Sequence, residues 1–164
     1  MPRAFEEKQI PFNKLSELVT KLRADGKRIV TTNGCFDILH LGHMQYLFEA
    51  RGLGDILLCG INSDKSVIRL KGSGRPLFPE AVRARQVAAL ECVDYVTIFE
   101  QDTPEALLKI IRPAIHVKGG DYRPEDLPER HCVEGGGGKV VVLPFIPGFS
   151  TTGIITKLKG ESNP

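Results

Sequence analysis

The sequence predicts a single α/β domain built on a doubly wound parallel sheet. Three observations lead there. Strand-like and helix-like segments alternate along the whole chain. The strand-like segments are near-continuously apolar, as strands buried on both faces are. No internal repeat divides the 164 residues, a length sufficient for one real core.

Taken in order, residues 14–24 read as an amphipathic helix, because Leu15, Leu18, Val19 and Leu22 recur at i, i+3, i+4 and i+7. Asn13 is the expected N-cap and Gly26 the expected left-handed C-terminal glycine. Strand one is expected at 29–32, then a helix at 41–51 ended by Gly52 and Gly54, then a buried strand at 55–61. Ser63-Asp64 is set to cap a helix to about residue 70, followed by a loop at 71–79. Further helices are expected at 80–91 and from Thr103 as cap, with Pro104 in first position, to 111. Strands are expected at 95–99, 114–118 and 140–143. Residues 123–134 read as one or two short helices and 135–138 as a glycine turn on the surface, not a site. The last helix is expected at 151–159, with a frayed tail to Pro164.

Composition removes several function classes. A net charge of +2 argues against a protein that coats nucleic acid. No apolar run approaches the ~20 residues of a membrane span, and the first residues lack the apolar stretch of a signal peptide, so a cytoplasmic location is expected. Cys35, Cys59, Cys92 and Cys132 are widely spaced and include no Cys-x-x-Cys pair. Neither a zinc site nor a disulfide framework is expected.

In a doubly wound sheet, ligands bind beyond the carboxyl ends of the strands. The segments that should hold function are therefore 33–43, 62–65, 71–79, 100–103, 118–123 and 145–152. The first ends in His40-Leu41-Gly42-His43 at the mouth of a helix. Free N–H groups and the positive dipole end favour an anion there. Two histidines three apart fall on one side of the turn, and Gly42 lets a ligand approach the backbone. Asn33-Gly34 permits the sharp exit from the strand. Isolated, such histidines are more often structural, but here they flank a glycine at a strand-to-helix switch. Ser150-Thr151-Thr152, opening the last helix after Gly148, form a second candidate anion site. Gly119-Gly120 at a strand end would let a base or ribose come close.

Thr32-Asn33-Gly34-Cys35-Phe36-Asp37 followed by His40-Leu41-Gly42-His43 resembles the nucleotidyltransferase superfamily with the His-x-Gly-His signature. Asn62-Ser63-Asp64, Leu70-Lys71-Gly72, Gly74-Arg75-Pro76, Asp102-Thr103-Pro104, Val117-Lys118-Gly119-Gly120-Asp121-Tyr122 and Ser150-Thr151-Thr152 extend the likeness. Together they are similar to the adenylyltransferases of ADP-heptose synthesis, over about residues 13–159.

The resemblance implies a Rossmann-like nucleotidyltransferase domain at 29–164 behind a helical extension at 1–28, in one compact body. It implies transfer of AMP from ATP to a heptose 1-phosphate, giving ADP-heptose and pyrophosphate for a lipopolysaccharide core. Some members of that family are joined to a sugar kinase; that half is absent here, so nucleotidyl transfer alone is expected. His40, His43 and Lys71 would be catalytic, with Lys71 a mobile cation over the phosphates. Asn33, Gly34, Cys35, Phe36, Gly42, Arg83, Lys118, Gly119, Ser150, Thr151 and Thr152 would contact the nucleotide. Cys35 would pack there and not act as a nucleophile. For Arg83 two roles stand open: a phosphate ligand, or a loop anchor through a salt bridge. Asp37, Gly120 and Asp121, with Lys71, would contact the second substrate.

Mg²⁺ would enter with ATP, held by substrate and water, with no dedicated protein ligands. The partners implied are ATP and a sugar 1-phosphate, with no nucleic acid and no membrane, in a homo-oligomer. Two departures from the pattern stand out. Phe145 takes the place of an arginine found in glycerol-phosphate cytidylyltransferases, and Phe149 that of a basic residue before Ser-Thr-Thr. Two other readings stay open: a cytidylyltransferase acting on glycerol 3-phosphate or a similar acceptor, and a non-catalytic nucleotide-binding module.

Overall fold

Apolar runs dictate the sheet. In the computed structural model, which describes residues 4–144, 148 and 151–158 (backbone only at 152 and 157), five strands lie parallel. They are β1 (Ile29–Gly34), β2 (Ile56–Asn62), β3 (Tyr95–Phe99), β4 (Ile115–Gly119) and β5 (Lys139–Leu143). Their order is β3-β2-β1-β4-β5, so the chain moves outward from β1 to one side and then returns to its other side. The reversal between β1 and β4 makes a switch point, with Asn33-Gly34 and Lys118-Gly119 at its carboxyl edge.

The helices are α1 (Phe5–Lys8), α2 (Leu15–Ala24), α3 (Leu41–Arg51), α4 (Asp64–Lys71) and α5 (Glu80–Ala88), then α6 (Glu105–Ile111), α7 (Arg130–Gly135) and α8 (Thr151–Leu158). They cover the sheet on both faces and divide the core in two. Leu47, Ala84 and Val87 pack with Val30, Leu57, Ile61 and Val117 on one side. Leu15, Val19, Leu22, Leu107 and Ile111 pack with Leu58 and Phe99 on the other. Leu57 and Leu58 are neighbours in β2 that point to opposite faces. That is why the strand reads as apolar without alternation. Gly60 lets α6 lie close on β2, since a Cβ there would meet Leu107 Cδ2 at 2.5 Å.

The doubly wound architecture is as expected, and so are the ends of several elements. Gly26, at φ +68°, closes α2: its N–H donates to Arg23 O and that of Lys27 to Leu22 O, both at 2.9 Å. Ser63 caps α4 by accepting from Ser66 N–H at 3.2 Å.

Two expected caps are corrected, both beside a proline. Asn13 lies inside a 3₁₀ turn, Phe12–Lys14, in which Lys14 N–H already donates to Pro11 O. Lys14 then occupies the cap position of α2 with no side-chain bond. Pro104 is not the first residue of α6 but its cap, its carbonyl accepting from Leu108 N–H. Thr103 is thereby left to face the cleft described below. The helix expected over 80–91 stops at Ala88.

Helix α1 has no counterpart in the sequence reading, because four residues are too few to show a period. Its Lys8 is buried and donates to Leu90 O and Val93 O at 3.2 and 2.8 Å. The glycine run meets a local need. Gly137 sits at φ +87°, and a Cβ on Gly138 would lie 2.1 Å from Pro113 O. No helix among the described residues is long and apolar enough to cross a membrane.

Candidate functional site

The carboxyl ends of β1, β2 and β4 open onto a cleft of about 490 Å³. Its floor is the loop from β1 to α3. The chain leaves β1 through Asn33-Gly34, reverses at Phe36 (φ +49°), and enters α3 at His40, which is extended at φ −139°. His40 O accepts the first bonds of α3, from His43 N–H at 2.9 Å and Met44 N–H at 3.2 Å. The two imidazoles then lie against each other, tilted by 39° with ring centroids 4.0 Å apart, and the Phe36 ring lies 5.4 Å from that of His43. Gly42 is buried between them in sequence. His43 lines the cleft and His40 backs it.

Both rings are held neutral near pH 7. Burial lowers His40 below the ordinary histidine range, and burial with the neighbouring His40 takes His43 down to about 4. Each Nδ1 is buried and has no hydrogen-bond partner among the described residues. Nε2 is thus the nitrogen of each ring left to meet a ligand. Lys71, the last residue of α4, reaches the same cleft and forms no ion pair among the described residues. Thr151 opens α8 and lines the cleft, its hydroxyl donating to Ile38 O of the β1–α3 loop at 3.4 Å. Asn33, Gly34, Cys35, Phe36, Lys118 and Gly119 all line the cleft, so the structure gathers most of the expected nucleotide contacts. Burial raises the Cys35 thiol above its usual pKa, so it is not an activated thiolate.

Two expected ligand contacts are corrected. Asp37 is buried and already engaged: it accepts from Leu77 N–H at 2.8 and 2.9 Å, Phe78 N–H at 3.0 Å and Arg75 Nε at 2.6 Å. Burial alone would raise its pKa, but the Phe78 and Leu77 amides and Arg75 outweigh it and hold the carboxyl below its ordinary value. Asp37 ties the loop before α5 to the loop after β1. Arg83 is likewise buried, and of its two open roles the structure supports the anchor. It donates to Phe78 O (2.9 Å), Cys35 O, Asn62 O (2.8 Å) and Asp64 Oδ1 (2.8 Å). A guanidinium so enclosed cannot reach a phosphate.

Gly120 (φ +140°) donates its N–H to Leu143 O, and neither it nor the exposed Asp121 is on the cleft wall. Ser150 lies outside the described residues, as do Phe145 and Phe149, and only the backbone of Thr152 is described. Sequence reasoning missed Glu129, a buried carboxylate on the cleft wall 2.9 Å from Lys118 Nζ. It also missed Tyr46, whose hydroxyl is 2.6 Å from Thr32 Oγ1. Neither has a local signal: one lies in a stretch that reads as irregular helix, the other as an ordinary core aromatic.

Neutral imidazoles at a helix start, a lysine without an ion pair among the described residues, and a cleft at a parallel-sheet switch point make an α/β arrangement suited to phosphorylated ligands. Comparison with known proteins narrows the class. Residues 31–156 match the cytidylyltransferase-like family, and the chain belongs to that family; it is a nucleotidyltransferase. It is 54% identical over 144 residues to the bifunctional protein HldE of Trichlorobacter lovleyi, and 52% identical over 144 residues to that of Geobacter metallireducens. Each match covers 88% of this chain but 29% of the relative, so the chain spans under a third of the curated relatives' length.

Among solved structures, a lipopolysaccharide core biosynthesis protein from Thermoplasma volcanium superposes with a TM-score of 0.61 at 29% identity, covering 74% of this chain and 98% of that one. A pantoate-beta-alanine ligase from Francisella tularensis, at 14% identity and a TM-score of 0.59 over 92% of this chain and 76% of its own, shares the fold alone.

Proposed function

We propose that this chain transfers the adenylyl group of ATP to a heptose 1-phosphate, forming ADP-heptose and pyrophosphate for lipopolysaccharide core synthesis. The observation behind the acceptor is the identity above 50% to HldE proteins across 88% of the chain. The likeness to a lipopolysaccharide core biosynthesis protein agrees with it.

The residues of the cleft support this chemistry. An oxygen of the sugar phosphate attacks the α-phosphorus of ATP, and the bond to the β-phosphate's bridging oxygen breaks on the opposite side. The attacking phosphate oxygen is already ionised, so no general base is needed, and the direct displacement forms no covalent enzyme intermediate. What remains is positioning and the neutralisation of developing charge. His40 and His43 donate through Nε2 to the α-phosphate region, and Lys71 closes over the outer phosphates with Thr151 at the start of α8. An arriving polyphosphate raises the pKa of both imidazoles, so nucleotide binding takes up protons. Mg²⁺ arrives with ATP as part of the substrate. In this reading phosphate oxygens and water would supply its ligands.

The test is pyrophosphate release by the purified chain with ATP or CTP against heptose 1-phosphate or glycerol 3-phosphate. Release is expected for ATP with heptose 1-phosphate. Preference for CTP with glycerol 3-phosphate would overturn the reading, and no release with any pair would favour a binding module.

A further inference from the structure

Behind the switch point lies a buried polar chain that the transfer chemistry above does not use. Thr31 Oγ1 on β1 is 2.9 Å from His116 Nδ1 on β4. His116 Nε2 is 3.8 Å from Glu129 Oε1, which is 2.9 Å from Lys118 Nζ. Lys118 in turn donates to Asn33 Oδ1 at 3.0 Å, bridging β4 back to β1. Thr31, His116 and Glu129 are buried, while Lys118 keeps 20% of its side chain exposed, in the cleft. Glu129 is ionised: burial would raise its pKa, but His116 and Lys118 hold it at about 2.

This geometry has two chemical consequences. The ammonium donates one hydrogen to Asn33 Oδ1, and its charge is paired with the buried Glu129 carboxylate 2.9 Å away. The charge facing the cleft at this wall is therefore neutralised by a carboxylate that a ligand cannot displace without burying it unpaired. Asn33 is fixed as well, because an ammonium only donates. Its oxygen is occupied, and its Nδ2 hydrogens are the ones available to a ligand.

We propose that Glu129 neutralises and positions Lys118, so that the β1/β4 wall binds the uncharged, hydroxyl-bearing part of a ligand. The phosphates are left to His40, His43 and Lys71. This deepens the reading given under the proposed function and rests on it for the place of the phosphates. Glu129 is a positioning residue, since it acts through Lys118. The hydroxyl-bearing part is either the nucleoside of ATP or the acceptor sugar; both present the same chemistry to these donors.

The experiment measures binding to the full chain by calorimetry, with inorganic tripolyphosphate as the anion and adenosine and unphosphorylated heptose as uncharged probes. E129Q leaves Lys118 uncompensated, so tripolyphosphate should bind about tenfold tighter at low salt, the gain fading as salt screens it. E129D should restore the wild-type value. The double variant K118Q/E129Q removes both charges together and keeps the test open if E129Q does not fold. It should hold tripolyphosphate within about twofold of wild type, yet lose about tenfold for one uncharged probe, through the lost hydrogen bonds to that probe.

Loss for adenosine places the nucleoside at this wall, and loss for heptose places the sugar. A tenfold loss of tripolyphosphate by the double variant makes Lys118 a phosphate ligand and overturns the proposal. So does unchanged binding of both uncharged probes. Because these are binding measurements, they stand whether or not ATP and heptose 1-phosphate prove to be the substrates.

Discussion

Two walls of one cleft are built on opposite rules. Around Asp37 and Arg83 the polar groups are closely satisfied: four hydrogen bonds reach one carboxylate, and four leave one guanidinium. Around His40, His43 and Lys71 they are not: two buried Nδ1 atoms lack partners among the described residues, and so does the lysine. All five residues sit in motif positions that the sequence marks as functional. The difference teaches that a charged residue beside a site serves the fold when its partners are internal. It is available to a ligand when the protein leaves it without an internal partner.

The comparison can be broken first at Arg83. Arg83→Met leaves three carbonyls without their donor and Asp64 without its cation. It should cost about 3–5 kcal/mol, a fall of roughly 6–20 °C in the unfolding midpoint. A midpoint within error of wild type would remove the anchor role. His43→Ala should do the reverse. Turnover falls by about 10²–10³, while the midpoint stays within about 4 °C; a variant that keeps its activity would show that the imidazole pair does not meet the reacting phosphate.

Lys71→Ala comes next, with turnover down about tenfold or more and stability unchanged, since it replaces a surface residue. Equal loss in a thermal melt would move Lys71 to the structural wall. The smallest effect is on acid stability. His43 is held near 4 when folded and near 6.5 when unfolded. The unfolded chain thus binds the proton first, and stability that is full above about 6.5 is lost as pH falls toward 4. Glu129, at about 2 against 4.5, adds a second loss between those values. Denaturant titrations across pH should show a smaller upper step in His43→Ala than in wild type, with His40 and the buried His116, both also lowered by burial, supplying the remainder; an unchanged step would assign it to those two alone.

The same contrast explains what could be read from sequence. Alternating elements and the imidazole pair were legible because their signals are local: apolar runs for the strands, and His40 to His43 across one turn. The caps at Asn13 and Thr103 misled because a nearby proline shifted each helix start: a 3₁₀ turn begun at Pro11 takes in Asn13 and leaves Lys14 as the cap, and Pro104 itself caps α6. Asp37 as a sugar ligand misled for a different reason. A turn-former and a ligand look alike in one dimension, and only Leu77, Phe78 and Arg75, about 40 residues away, tell them apart. Glu129 and Lys118 are 11 apart in sequence, but the pair acquires meaning only through Asn33 on the other side of the switch point.

The short segment before α2 has a consequence of its own. Strand β3 ends the sheet, and a bare terminal strand is a template on which a second molecule can add a strand. Here Ile10 N–H donates to Val96 O at 2.8 Å, Gln9 bridges the same residue, and Lys8 locks the segment to the turn after α5. The first described residues therefore act as a guard against misassembly, shielding the outermost strand from intermolecular pairing.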